Sequence, residues 1–195
     1  LKNHLVFFKL TALAVLLTAF AAASAIKANA DPSPNARTYD VATSGITVPA
    51  LPTDLACLEV TSGMVQIIDI TVNGHAVTSV TASVQVVKRS TRNTGGTPTA
   101  FTPVPRMTGM AASTVVLQAY TVVPTPLGTL VGLVDEEDAL IVAAASTTGP
   151  SPAHFDFSKG APLTISGTEA ICLTVPATTS GFAGATLEAS FRLQQ

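Results

Sequence analysis

The run Val80-Thr81-Ala82-Ser83-Val84-Gln85-Val86 decides the fold class, because its even positions are apolar and its odd positions polar. A two-residue period belongs to a β-strand with one face in a core and the other in water. The same period closes the chain, where Ala185, Leu187, Ala189, Phe191 and Leu193 alternate with Thr186, Glu188, Ser190 and Arg192. Between and before these runs, further strands are expected around 55–60, 64–72, 114–123, 128–134, 139–145, 153–157 and 169–175, with an edge piece in 38–48. Turns are expected where Pro and Gly interrupt them, at Pro49, Pro52, Gly63, Gly74, Pro124, Pro126, Gly149, Pro150 and Gly160. No stretch beyond residue 30 holds a 3.6-residue period for long.

Composition agrees with the period. Charged residues are 11% of the 195, Trp is absent, and Thr, Ala, Val, Gly and Pro take the place of the helix-forming Glu, Lys and Gln. Eight to ten short strands in one domain predict an all-β, two-sheet sandwich of jelly-roll type, with an immunoglobulin-like sandwich as the runner-up. The latter is disfavoured because its usual core Trp is missing.

Residues 1–30 read as an export signal. Lys2 and Lys9 precede an apolar run over 10–25, and Ala28-Asn29-Ala30 offers the small residues of a cleavage site. An uncleaved hydrophobic helix is the alternative. Residues 31–37 then form a linker and 38–195 a single domain. Without the signal, seven basic residues face twelve acidic ones. That balance argues against nucleic acid and anionic membrane as partners, since both demand clustered positive charge. Membrane contact is expected only through an uncleaved N-terminal segment.

Cys57 and Cys172 are the two cysteines, in the similar settings Leu-Ala-Cys-Leu-Glu-Val and Ala-Ile-Cys-Leu-Thr-Val. An exported chain meets an oxidising compartment, so a disulfide between them is expected, with two buried thiols as the bland alternative. Adjacent first and last strands would bring the sulfurs into range.

The segment 88–110 lacks a strand pattern and holds Lys88, Arg89, Arg92 and Arg106. Long loops in compact domains are often functional, and these four cations make a candidate partner-contact loop; a solvated loop is the alternative. Asp135-Glu136-Glu137-Asp138 is a dense acidic run. It is a weak Ca²⁺ candidate without EF-hand spacing, and a solvated turn between Val134 and Ala139 is the plainer reading. His75 after Asn73-Gly74 is expected on a hairpin tip. His154 and Asp156 should share an outward face while Phe155 and Phe157 point inward. No G-x-S-x-G, H-E-x-x-H, paired C-x-x-C or phosphate-binding Gly loop is present, so no catalytic residue and no cofactor is expected.

Two stretches carry a resemblance. One is Arg89-Ser90-Thr91 leading through Gly95-Gly96-Thr97-Pro98-Thr99 to Pro103-Val104-Pro105. The other runs from Phe155-Asp156-Phe157 through Glu169-Ala170-Ile171-Cys172-Leu173 to Leu187-Glu188-Ala189-Ser190-Phe191. Their pattern resembles small β-sandwich structural or decoration proteins of tailed-phage structural gene clusters. The resemblance implies a virion subunit acting as a homo-oligomer, against a capsid or cell-surface partner, and offers no catalytic residues. Tailed virions assemble in the cytoplasm, so an export signal sets two expected locations in opposition: exported to the envelope or medium, or in the virion. A non-enzymatic structural or attachment subunit is the first expectation. An exported carbohydrate-binding module and, below it, a secreted hydrolase are the alternatives.

Overall fold

Strand-forming residues and little else make up the domain. The computed structural model describes residues 37–50, 52–143, 146, 149–176 and 182–195; the expected signal at 1–30 and most of the expected 31–37 linker lie outside them. Arg37–Gln195 is one compact unit. Its strands are β1 (Thr38–Ala42), β2 (Ile46–Thr47), β3 (Thr53–Val60), β4 (Met64–Ala76), β5 (Val80–Arg89), β6 (Thr97–Phe101), β7 (Val104–Pro105), β8 (Val115–Val122), β9 (Leu130–Ala143), β10 (Ala153–Asp156), β11 (Leu163–Ser166), β12 (Ala170–Val175) and β13 (Thr186–Gln194).

These form two antiparallel ladders. One runs β6-β8-β3-β12-β5-β9, and the other β4-β13-β1-β7, with β10 and β11 added to β4 and β2 to β13. A short parallel pairing of His75 and Ala76 with Val142 and Ala143 joins β4 to β9. The all-β class therefore stands. In place of two separate sheets there is one continuous 13-stranded sheet, curled like half a barrel. Both ladders feed one apolar core, to which Leu58, Val84, Leu117 and Ile171 come from one and Ile70 and Phe191 from the other. Burying each such side chain contributes roughly 1.5–3 kcal/mol.

Alternation places the named faces. In β5, Ala82, Val84 and Val86 are buried while Thr81, Ser83 and Gln85 are exposed or half-buried. In β13, Leu187, Ala189, Phe191 and Leu193 are buried. Several expectations need correction. The acidic run 135–138 is no turn: two expected strands are one, β9, running through it. Asn73-Gly74 is no hairpin tip either, so His75 lies inside β4 opposite Thr186. Gly74 is there for close approach, since a Cβ would stand 2.6 Å from both Leu187 Cδ2 and the Thr186 carbonyl oxygen. Within the supposedly strandless 88–110 lie the end of β5 and all of β6 and β7.

Candidate functional site

One departure from alternation builds the most elaborate side-chain cluster in the domain. Period two along β3 would send Asp54 inward with Ala56 and Leu58. The register with β12 shifts instead: Leu173 pairs Ala56 but Thr174 pairs Asp54, leaving Leu55 as an extra residue. This bulge rotates Asp54 to the outer face beside Cys57. All eight residues of β3 are buried, so its outer face is covered as well as its inner one.

The cover is the chain after β5. Ser90 N–H donates to the Thr129 carbonyl at 2.9 Å, and Thr94 N–H to the Pro126 carbonyl at 3.2 Å. Thr129 N–H donates to Thr91 Oγ1 at 2.8 Å. Gly128 comes so close that a Cβ there would lie 1.9 Å from the Thr91 carbonyl oxygen, a contact only glycine allows. Beneath this pair of segments, Asp54 is 1% exposed and accepts four hydrogen bonds. Arg89 supplies two of them, from Nε at 2.6 Å and Nη2 at 2.7 Å. Asn93 Nδ2 donates at 2.8 Å and Thr174 Oγ1 at 2.5 Å. Arg89 Nη1 also donates to the Gly128 carbonyl at 2.7 Å, and Gly128 N–H to Asn93 Oδ1 at 2.7 Å. A buried carboxylate held by a planar guanidinium fork and two further donors has its charge fully compensated.

Cys57 and Cys172 sit beside this network, directly opposite each other on β3 and β12, with their sulfurs 2.07 Å apart. That is disulfide distance, in a pair with no exposed surface. The strands that meet are the third and twelfth, whereas the first and last, β1 and β13, pair in the other ladder. Val87, Tyr120 and Ala170 complete this small outer core. Burial first, and then the Glu59 charge, pushes the Tyr120 hydroxyl up to about 12. Burial also raises the Glu59 carboxyl, and Arg92 partly offsets that.

The four cations of the expected contact loop are each engaged within the chain. Arg89 is 6% exposed and cannot meet a partner, which corrects that expectation for this residue. Lys88 Nζ lies 2.8 Å from Glu169 Oε1 and donates to the Thr164 carbonyl at 3.1 Å. Arg92 pairs with Glu59 at 3.6 Å and donates to the Val60 carbonyl. Arg106 Nε is 2.5 Å from Asp40 Oδ2 and stays half exposed.

Asp135, Glu136, Glu137 and Asp138 do not converge on one cation, because the pleat sends alternate side chains to opposite faces. Glu136 accepts from Ser83 and, at 2.9 Å, from Gln85 Nε2, which hold its carboxyl below the usual range. Glu137 instead accepts from the His154 N–H at 2.6 Å. Among the described residues, the group of three acid, His or Cys side chains that does converge is Asp54, Cys57 and Cys172, whose two sulfurs are at bonding distance from each other. His154 and Asp156 are exposed on one face of β10 and Phe155 is buried, as alternation predicts. Hydrogen bonds from Ser158 hold Asp156 low.

A shallow groove of about 430 Å³ crosses the outer face of β7-β1-β13-β4. Asp40 bridges Arg106 at 2.5 Å and Arg192 at 3.5 Å, and Arg192 Nη1 reaches Asp69 at 2.9 Å. Its charges are balanced in pairs. Sequence reasoning passed over Asp54, although two acids, Asp54 and Glu59, inside the otherwise apolar strand 53–60 were the available signal. No helix among the described residues is long and apolar enough to cross a membrane. Comparison with protein-family models, curated proteins and solved structures returns no match.

Proposed function

We propose that this chain is a non-enzymatic structural or attachment subunit of a virion or of an extracellular surface assembly, exported or carried on the particle. The observation that carries the reading is the clamp on the outer face of β3. There the Asp54–Arg89–Asn93 network and the cysteine pair spend their polar and reactive groups on fixing three strands and two loops to one another. Chemistry of that kind favours a rigid body that endures outside the cell, where a disulfide persists. Side chains of both ladders entering one core support the jelly-roll-like arrangement expected from the number of short strands. Homo-oligomers are the expected working form.

A carbohydrate-binding reading would use the Asp40–Arg106–Arg192 groove. Its lining offers donors and acceptors, but its aromatic residue, Phe191, is 1% exposed and gives a sugar no face to stack on. Size-exclusion chromatography with light scattering on the purified full chain tests the proposal. A stable trimer or larger assembly is expected, and a strict monomer at tens of micromolar would count against it.

A further inference from the structure

Exposed apolar side chains are concentrated in one place. Of the nine large hydrophobics exposed among the described residues, Val122, Leu127, Leu130, Val131 and Leu133 fall within 122–133. Leu130, Val131 and Leu133 are 57%, 60% and 55% exposed and open β9. β5 pairs one side of them, with Val87 opposite Leu133, Lys88 opposite Gly132 and Arg89 opposite Leu130. The other side of β9 divides in two. β10 runs antiparallel beside the acidic half, where Leu140 bridges Ser151 and the His154 N–H donates to Glu137 at 2.6 Å. Past Asp156 the chain turns to β4, with the Phe157 N–H on the Ile68 carbonyl at 2.8 Å. Among the described residues, no strand and no backbone hydrogen bond occupies 130–134 on that side.

An open edge carrying an apolar patch is an interaction site, and the occupant follows from its symmetry. Leu130 and Leu133 share the outer face with Arg89 and Val87, because directly paired residues lie on one face of a sheet. Between them the register shifts, so Val131 and Gly132 together make a single step of the pleat. A two-fold axis through that step sets Leu130 of one copy against Leu133 of the other, and Leu133 against Leu130. The two acidic runs then point away from each other. Their Asp135 residues stand roughly 15–20 Å apart, beyond the screening length of about 8 Å. The other arrangements fail. An axis on Leu133 would face Leu130 with Glu136, and one further along would face Leu133 with Glu136, burying carboxylates against leucine. An axis on Leu130 would carry Leu133 past the start of β9. Parallel pairing in register would stack acid on acid.

We propose that the start of β9 is an isologous contact between two copies of this chain, antiparallel, with Leu130 of each on Leu133 of the other and Val131-Gly132 at the two-fold axis. This deepens the assembly reading and rests on it, by naming one subunit contact it uses. Side chains this few fall short of the roughly 800 Å² per partner of a standard interface. The contact therefore links copies in pairs within a larger assembly, whose copy number is then even.

The test uses the full chain. Gly132→Cys places a thiol where an added Cβ meets nothing within 4 Å. At the axis the two Cα atoms lie about 4.5–5.5 Å apart, a separation that a disulfide spans. With copper–phenanthroline and air as oxidant, at about 200 µM protein, at least half the chain should become a cross-linked dimer on a non-reducing gel. Val77→Cys, at a position 92% exposed elsewhere, should give at least tenfold less. Adding Leu130→Lys with Leu133→Lys to Gly132→Cys should cut the yield at least tenfold, with the circular dichroism of the parent retained. Mixing Leu130→Lys with Leu133→Glu, each on the Gly132→Cys background, should favour the mixed dimer, which alone sets Lys against Glu and Leu against Leu. Equal yields from Gly132→Cys and Val77→Cys, a yield indifferent to the double substitution, or random mixing would each overturn the proposal. Light scattering on the same samples separates the two readings: an oligomer that fails these tests loses only this contact, and a strict monomer that fails them loses the assembly reading as well.

Discussion

Replacing Asp54 with Ala removes the acceptor of four hydrogen bonds and leaves the Arg89 guanidinium, itself 6% exposed, without its counter-ion. Breaking a buried pair from one side costs about 3–5 kcal/mol, because a desolvated charge is left uncompensated. For a domain of this size each kcal/mol moves the melting temperature by about 2–4 °C, so Asp54→Ala should lower it by roughly 6–20 °C. Removing both charges is a different perturbation. Asp54→Leu with Arg89→Met leaves no buried ion and restores apolar volume, although Asn93 Nδ2 and Thr174 Oγ1 still lose an acceptor. The double variant should therefore lose about 2 kcal/mol less than the sum of its parts. Urea denaturation of the parent, Asp54→Leu, Arg89→Met and the double variant measures the cycle, with Asp54→Ala measured alongside and the cysteine pair oxidised in all. An Asp54→Ala variant within about 1 kcal/mol of the parent, or strictly additive losses, would refute the claim that this ion pair is buried and interdependent.

Further outcomes follow from the geometry. Cys57→Ala with Cys172→Ala opens a cross-link between residues 115 apart, and should destabilise by about 4–5 kcal/mol in the chain-entropy account; denaturation of oxidised parent and variant checks it. In the native parent the two sulfurs are bonded to each other and have no exposed surface, so thiol reagents should label neither until the protein is both unfolded and reduced. Gly128→Ala forces a Cβ against the Thr91 carbonyl and should cost about 2–4 kcal/mol, whereas Gly132→Ala meets nothing within 4 Å and should stay within about 0.5 kcal/mol of the parent in the same assay. Tyr120 should ionise near 12 by absorbance at 295 nm, and Glu59→Gln should bring that value down by removing a negative neighbour. Because the folded value lies above the unfolded one of about 10, Tyr120 stabilises fully below pH 10, and that contribution is lost as pH rises toward 12. The Glu136, Asp156 and Glu169 carboxyls are shifted the other way, so what they contribute is present above their unfolded values and is lost in acid.

The all-β class was legible wherever one strand face is buried and the other wet, as at 80–86 and 185–193. Legibility failed where a strand is not amphipathic. β3 is buried on both faces, so its pattern carries no face information and hides the bulge at Leu55 that turns Asp54 outward. β6 is nearly all exposed and written in Thr and Pro, which read as loop; it pairs with β8 through backbone bonds that the side chains do not announce. The acidic run looked like a turn because like charges repel, yet Ser83 and Gln85 on β5 accommodate Glu136 within the ladder. Gly74 reads as a turn residue, and only the approach of Leu187 explains it within a strand. As for the site, the cysteines and Arg89 could be singled out from the sequence. Arg89 and Asn93 lie 35 and 39 positions from Asp54, and their convergence on it beside the cysteines is a product of tertiary structure.

The claim that the chain builds an assembly is tested most directly by mass spectrometry of density-gradient fractions from the source culture, digested without reductant. The account predicts the chain in particle or envelope fractions, with the peptides carrying Cys57 and Cys172 recovered as a linked pair. Recovery solely as a free soluble chain, or with the two cysteines unlinked, would contradict it.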